Sequence, residues 1–254
     1  MKFVKKTKNL YFFRCDSIPE LDELVSKQVI SEIKEKSHAS LLLSPRQDLD
    51  KLYETIVYDY RNRLINCKYV CVYVTDEFLD LNHSTTYLSR HRWMNDHLFN
   101  YLNIKNKHIH YPTDYGDTEY SQYDRQIWKN GGIDLAVLVM KQDGNLVSYD
   151  FLNDRNNLTH AVKADDYNIT ELTKLYHVSS DVIPHFMVSV GMRSILNAKR
   201  IIIYAKGLEC ANGILALSKG EIDRKYPCTA LVNHRDVRIY MDEAATKLLK
   251  KDNR

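Results

Sequence analysis

"IDLAVLVMKQDGNLVSYDFL", Ile133–Leu152, begins with the most continuous apolar run in the chain. It breaks at Lys141 into a polar turn carrying Asp143, Gly144 and Asn145, with Asp150 a short interval on. An unbroken apolar segment of strand length, rather than an alternating one, reads as a central parallel strand covered on both faces. Asp-Gly would equally suit a hairpin turn, so the meaning of the turn depends on what the rest of the chain brings to it.

Outward from this strand, "LYFFRC", "ASLLLS", "YVCVYV", "HIHYP", "RIIIYA" and "VRIYM" read as further strands. Between them lie helical patterns. Ser17-Ile-Pro-Glu20 is a capping box with proline in the first turn, followed by Leu21, Leu24, Val25, Val29 and Ile33 at helical spacing. Leu49, Leu52, Tyr53, Ile56, Val57 and Tyr60 mark a second helix face. Residues 84–101, 117–130 (stopped by Gly131-Gly132), 210–219 and 242–251 read as helices too. Strands alternating with helices predict an α/β fold with a mainly parallel sheet. In such sheets ligands bind beyond the carboxyl ends of the strands. Asp76-Glu77 and Asp143-Gly144-Asn145 both stand at predicted strand ends and are expected to share one crevice, Glu77 in a structural role. No repeat or linker interrupts the chain, so residues 1–254 are expected to form one domain, with 1–9 flexible.

Composition narrows the partners. A net charge of +3 in 254 residues is too small for a nucleic-acid-binding stripe. No apolar run approaches the ~18 residues of a membrane span, and "MKFVKKTKNLYFF" lacks the apolar block of a signal peptide, so a cytoplasmic location is expected. The five cysteines have no metal-ligand spacing and read as buried thiols. His108 and His110 alternate onto one side of a strand, but with no third ligand nearby neither a metal nor any other cofactor is expected. Tyr111, Tyr115, Tyr120 and Tyr123 read as a packing or interface cluster. Eight glycines in 254 residues is about 3%, against a usual ~7%.

The chain resembles the glucosamine-6-phosphate deaminase (isomerase) family, relatives of the 6-phosphogluconolactonases. "PHFMVSVGMRSILNAKRIIIYAKG", Pro184–Gly207, is similar to the family's P-x-x-A-L-T-V-G-[VM]-G-T-[LI]-L-x-A-x-E-V-x-x-L-x-x-G. "VNHRDVRIYMDEAAT" resembles its L-Q-x-H-P-x-x-x-x-x-[CD]-D-E-x-[AS]-T, "VTDEFLDL" its N-M-D-E-Y-x-G-L, and "QDGNLVSYD" its N-D-G-H-I-A-F-N-E turn. The resemblance implies a three-layer α/β/α sandwich with a Rossmann-like, mainly parallel sheet of the deaminase and ribose-phosphate isomerase type. It implies metal-free chemistry that moves a proton between C2 and C1 of an opened amino-sugar phosphate. By the same resemblance Asp76 matches the carboxylate base and Asp143 the first member of a ring-opening relay. Asn145 and Asp150 stand where the relay has histidine and glutamate.

The departures matter as much as the matches. Imidazole can both accept and donate a proton near neutral pH, whereas an asparagine amide does not titrate there. Losing such a general acid–base typically costs ~10²–10⁴ in rate. His83, just after the Asp76 segment, is the candidate substitute for the lost imidazole. "LLLSPRQDLDKLY" stands where the family has a glycine-rich phosphate loop, with Arg46 and Gln47 in place of its glycines. The glycines before the second turn are absent from "LVMKQDG", and Cys210 replaces the lysine expected after Gly207. Arg46, Lys174 and Arg193 are the cations offered as a replacement anion site. The expectation is a divergent carbohydrate-metabolism protein, a pseudoenzyme without efficient deaminase activity that keeps a pocket for a sugar phosphate or other small anion. The alternatives are an active isomerase or deaminase of altered substrate, and a non-catalytic structural or regulatory subunit, as a homo-oligomer or with a paralogue partner.

Overall fold

The structure, a computed structural model, describes residues 1–115, 119–148 and 158–249, apart from the side chain of Asp143. Ile133–Leu152 begins as predicted: β7 (Leu135–Val139) lies inside an eight-stranded sheet. The other strands of that sheet are β1 (Lys2–Thr7), β2 (Leu10–Arg14), β3 (Ser40–Leu43), β4 (Cys71–Val74), β6 (Ile109–His110), β10 (Arg200–Ala205) and β11 (Val237–Met241). The order is β1-β2-β11-β10-β7-β3-β4-β6, and every pairing is parallel except the β1–β2 hairpin. Residues 2–7 were expected to be loose; they form this edge strand, paired with β2 from Lys2 opposite Arg14 to Thr7 opposite Leu10.

The strand period of two sorts side chains into two layers. Leu135, Val137 and Val139 of β7 join one core cluster with α1 (Ile18–Glu35), α2 (Asp50–Arg61) and α3 (Arg90–His97). Ala136 and Leu138 join the other with α4 (Ser121–Lys129), α6 (Met192–Leu196) and α7 (Ala211–Ser218). The result is helices on both faces of one sheet, the three-layer arrangement. Ser17 caps α1 by accepting from Glu20 N, with Pro19 in the first turn, as the capping box predicts.

Three differences are local. Residues 84–101 hold only the short α3, flanked by 3-10 turns at Thr86–Leu88 and Phe99–Tyr101. The last described residues form hydrogen-bonded turns (Thr246 N to Glu243 O, Leu249 N to Thr246 O) instead of a helix. A second, antiparallel sheet with no signal in the apolar periodicity joins β5 (Asp76–Phe78), β9 (Phe186–Ser189) and β8 (His160–Lys163). With α5 (Asp166–Tyr176) it encloses a small core of Phe78, Leu88, Leu172, Ile183 and Met187. This subsidiary layer roofs the carboxyl ends of β3, β4 and β7. No helix among the described residues is long and apolar enough to cross a membrane.

Candidate functional site

The site begins where two strands end. After β4 the chain passes Thr75, whose N–H still donates to Leu43 O of β3 (3.1 Å) while its carbonyl accepts from Val190 N (2.8 Å). That exchange of partners shifts the backbone from the large sheet to the small one, and Asp76 is its first residue there, opposite Ser189. After β3 the chain turns through Ser44-Pro45-Arg46. Ser44 Oγ donates to Val137 O (3.2 Å) and Tyr53 Oη to Ser44 O (2.6 Å), fixing the turn against β7 and the start of α2.

These two strand ends bring Arg46 and Asp76 together. Arg46 Nη2 donates to Asp76 Oδ2 at 3.1 Å, and both residues are 1% exposed. Thr75 Oγ1 donates to the same oxygen at 2.8 Å. On the other side Asp76 Oδ1 faces Arg90 Nε at 3.7 Å, a charge contact beyond hydrogen-bond reach that leaves both atoms without a hydrogen bond. Arg90 Nη2 donates to Glu171 Oε2 (2.9 Å) and Asn168 Oδ1 (3.1 Å), and Arg46 Nη1 lies 3.7 Å from Glu171. Asn168 carries the network onward, its Nδ2 donating to Asp165 Oδ1 (2.7 Å) and Ser148 Oγ (3.0 Å). Asp165 Oδ2 then accepts from Lys141 Nζ at 3.2 Å.

Three cations (Arg46, Arg90, Lys141) thus balance three acids (Asp76, Asp165, Glu171) beneath the small sheet and α5. Burial alone would raise the Asp76 carboxyl, but Arg46, Arg90 and Lys141 hold it below its ordinary value. The same opposition lowers Glu171, through Arg90 and Arg46, and Asp165, through Lys141 and the α5 amide of Asn168. Arg46 is raised: its burial disfavours the charge, and Asp76 and Glu171 outweigh it. Lys141 goes the other way, lowered by burial and then by Arg46 against the pull of Asp165. Glu77, next in sequence to Asp76, points to the far side. Its carboxylate accepts from Phe78 N (2.7 Å), Ser89 Oγ (2.8 Å), Arg90 N (2.9 Å) and His91 N (2.8 Å), anchoring the start of α3 and so the backbone of Arg90.

The turn after β7 is not a hairpin. Gln142–Gly144 makes one 3-10 turn, closed by Lys141 N to Asn145 O (2.7 Å) and Asn145 N to Gln142 O (3.3 Å). Gly144 has φ +76°, and a Cβ there would stand 2.7 Å from Cys228 Sγ and 3.2 Å from Gly213 Cα, so glycine is required for the turn to seat on α7. Asn145 is half-buried at the turn's end. The Asp143 side chain and Asp150 lie outside the described residues.

Of the remaining residues singled out from sequence, Arg193 is exposed with its guanidinium 5.0 Å above the Trp128 ring, and Lys174 is exposed on α5. His83 is exposed, its carbonyl accepting from Thr86 Oγ1. The structure therefore joins Arg46 to Asp76 and puts Lys174, Arg193 and His83 at the surface. His110 stacks on Tyr73 and bonds Tyr115 Oη through Nδ1 (2.7 Å). Among the described residues no three His, Cys, Asp or Glu side chains are grouped to hold a metal. The sequence reading missed Arg90, Asp165, Asn168 and Glu171, which carry no motif. Lys141 did carry a signal, since it stands where the resembled turn has glycine.

At the mouth of this cluster a cavity of about 170 Å³ is lined by Asp48, Val139, Met140, Lys141, Tyr167, Lys206 and Glu209. It sits beyond the carboxyl ends of β7 and β10, the position such sheets use for ligands. A general base must come within about 2.6–3.2 Å of the proton it removes. In the present arrangement Asp76 Oδ2 is taken by Arg46 and Thr75, and Oδ1 is turned toward Arg90.

No family model matches the chain. A glucosamine-6-phosphate deaminase of Mycoplasma mycoides subsp. mycoides is 32% identical over 223 residues, covering 87% of this chain and 91% of that protein. This chain belongs to the glucosamine-6-phosphate deaminase family. A second deaminase, from Thermoanaerobacter sp. strain X514, is 28% identical over 235 residues, 91% of each chain. The fold agrees: a monomeric glucosamine-6-phosphate deaminase superposes with TM-score 0.84 at 23% identity, covering 92% of this chain and 98% of that one. The 6-phosphogluconolactonase of Trypanosoma cruzi follows at TM-score 0.71 and 16% identity, over 94% and 96%. The three-layer sandwich with its mainly parallel sheet is thus the fold of the deaminase and lactonase group. Family membership ties the chain to sugar-phosphate metabolism. Arg46 and Lys141 both fold inward onto the acids of the cluster.

Proposed function

We propose that this chain is a deaminase-family protein of carbohydrate metabolism whose amino-sugar-phosphate site has been closed from within, leaving it without efficient deaminase activity. One observation carries the reading: Asp76, which resemblance matches to the family's base, is buried and ion-paired with Arg46 at 3.1 Å. A base held below its ordinary pKa by arginines is both less basic and less reachable. Asn145, at the family's histidine position, removes the titrating group of the relay as well. The cavity lined by Lys141 and Tyr167 among the described residues, about 170 Å³, falls below the ~300–1,000 Å³ of ordinary ligand pockets. It suits a ligand smaller than a hexose phosphate. Among the described residues the three inward cations, Arg46, Arg90 and Lys141, each pair with an acid, which disfavours a phosphate dianion beside Asp76.

The test is ammonia release from glucosamine 6-phosphate by the purified full-length protein, beside an authentic deaminase. Turnover at the blank level is expected. Robust turnover that disappears in Asp76→Asn overturns the reading, because it requires Asp76 to leave Arg46 and act on substrate.

A further inference from the structure

Lys141 has a position that its ion pair with Asp165 does not by itself account for: it stands at a cavity wall. It follows the last residue pair of the central strand, and its backbone is fixed from both sides by Asn145 O (2.7 Å) and Gly144 N (3.2 Å). Its side chain is 2% exposed, yet it lines the cavity at the carboxyl end of β7, with Nζ 5.3 Å from the centre of the Tyr167 ring. The Asp165 carboxylate beside it is already served by other donors: Asn168 N (2.8 Å), Asn168 Nδ2 (2.7 Å) and Ser148 Oγ (3.3 Å). Asp165 thus accepts from three donors besides Lys141. Arg46, locked on Asp76, adds a fixed positive charge that opposes a second one on Lys141. A rigidly placed, desolvated amine at a cavity wall is the arrangement that turns lysine from a surface cation into a nucleophile.

We propose that Lys141 is a nucleophilic amine that forms an imine with a small aldehyde or ketone admitted to this cavity. The ammonium first gives one proton to solvent through the cavity mouth. The neutral nitrogen then adds to the carbonyl carbon, so that a C–N bond forms, the C=O π bond breaks, and an N–H proton passes to the oxygen. Loss of that hydroxyl with the remaining N–H proton expels one water and leaves the C=N bond. No oxidant or metal enters the balance. The cavity volume, about 170 Å³, limits the partner to compounds smaller than a hexose phosphate. The proposal goes beyond the closed-site reading, and the two fail separately, since deaminase turnover measures Asp76 and imine formation measures Lys141.

The experiment is reductive trapping on the intact full-length protein with glycolaldehyde and sodium cyanoborohydride near neutral pH, followed by proteolysis and peptide mass mapping. Lys174 and Lys219, both exposed, serve as internal references. Lys141 is expected to acquire the hydroxyethyl mass ahead of both by about tenfold in rate, about 1.4 kcal/mol in activation free energy. That lead should vanish in urea, where cavity and cluster are lost. Labelling of Lys141 at or below the rate of the two references overturns the proposal. So does a lead that persists in urea, because the local sequence and not the folded site would then be responsible.

Discussion

The body of β7 and the residues just beyond its carboxyl end are equally buried and opposite in kind. From Leu135 to Val139 every side chain is at most 3% exposed and surrounded by hydrocarbon from two helix layers. Two residues on, Lys141 is 2% exposed and surrounded by charge. In the first region burial is itself favourable, about 25 cal/mol for each Å² of apolar surface removed from water. In the second, each ion loses its hydration and only the partner returns it, so an intact buried pair often contributes nothing beyond a hydrophobic substitute. The fold draws its stability from the strand body. The strand ends hold groups whose arrangement matters more than their energy, which is the pattern of a site, and here of a site turned in upon itself.

The largest effect should come from orphaning a charge. Arg90→Met removes the hydrogen-bonded guanidinium of Glu171, leaving it only the 3.7 Å contact with Arg46, and strips one side of Asp76; a loss of about 3–5 kcal/mol is expected in denaturant unfolding. Acid should act in the same direction. Asp76, Asp165 and Glu171 are lowered in the folded protein, so their contribution is present above the unfolded pKa of about 4 and is lost as pH falls through the folded values. An apolar truncation in the strand body, Leu138→Ala, should cost about 2–5 kcal/mol by loss of transfer energy and by the cavity left behind. Its cost should hardly change with pH. If Arg90→Met proved harmless while Leu138→Ala did not, the cluster would be wet and loosely held.

Replacing both members of one pair should be far milder than replacing one. Arg46→Met with Asp76→Leu removes a cation and an acid together, leaves Arg90 on Glu171, and is expected to fall within about 1 kcal/mol of the parent. Each single replacement should cost more than the pair. A double-mutant cycle in denaturant measures the difference, and simple additivity of the two losses would mean that Arg46 and Asp76 do not act on one another.

How much of this was legible beforehand follows the same division. Apolar strands announce themselves by period and run length, so β7, β10, β11 and the capped α1 stand nearly where the sequence puts them. The edge strand β1 was missed because lysines fill four of the first eight positions, and an edge can carry such charge without penalty. The small sheet was missed because its strands have three or four residues each, and β5 finds its partner β9 only across more than 100 positions of sequence. At the site, resemblance marked Asp76 and Arg46, since a motif position with the wrong residue is visible in one dimension. Arg90 and Glu171 are ordinary charged helix residues, and Asp165 an ordinary N-cap, until the second sheet folds over them. Lys174 and Arg193 met the sequence requirement of a nearby cation, but lie outward on their helices.

Asp50 offers the finest discrimination, because it is an acid at the charged end of the sheet with burial but no cation on its oxygen. It opens α2, its Oδ1 has no hydrogen-bond partner, and its pKa is raised to about 6, first by burial, against His97 and with help from Glu54 and Asp48. A carboxyl raised in the folded state favours folding while protonated. Its contribution is complete below the unfolded value of about 4 and is lost as pH rises through about 6. Asp50→Asn removes the titration while keeping the shape. The variant should therefore match the parent near pH 4 and exceed it near pH 8, by about 1 kcal/mol once solvent screening of a half-exposed group is allowed for. Paired thermal melts across that range give the answer in a single difference curve. A curve rising through about pH 6 means that burial without a partner is unfavourable at this end of the sheet, and that Asp76 is tolerated because Arg46 stands beside it. A flat curve would mean that the rim of the site is hydrated well enough for an unpaired acid, which would weaken the case that Asp76 needs its arginine at all.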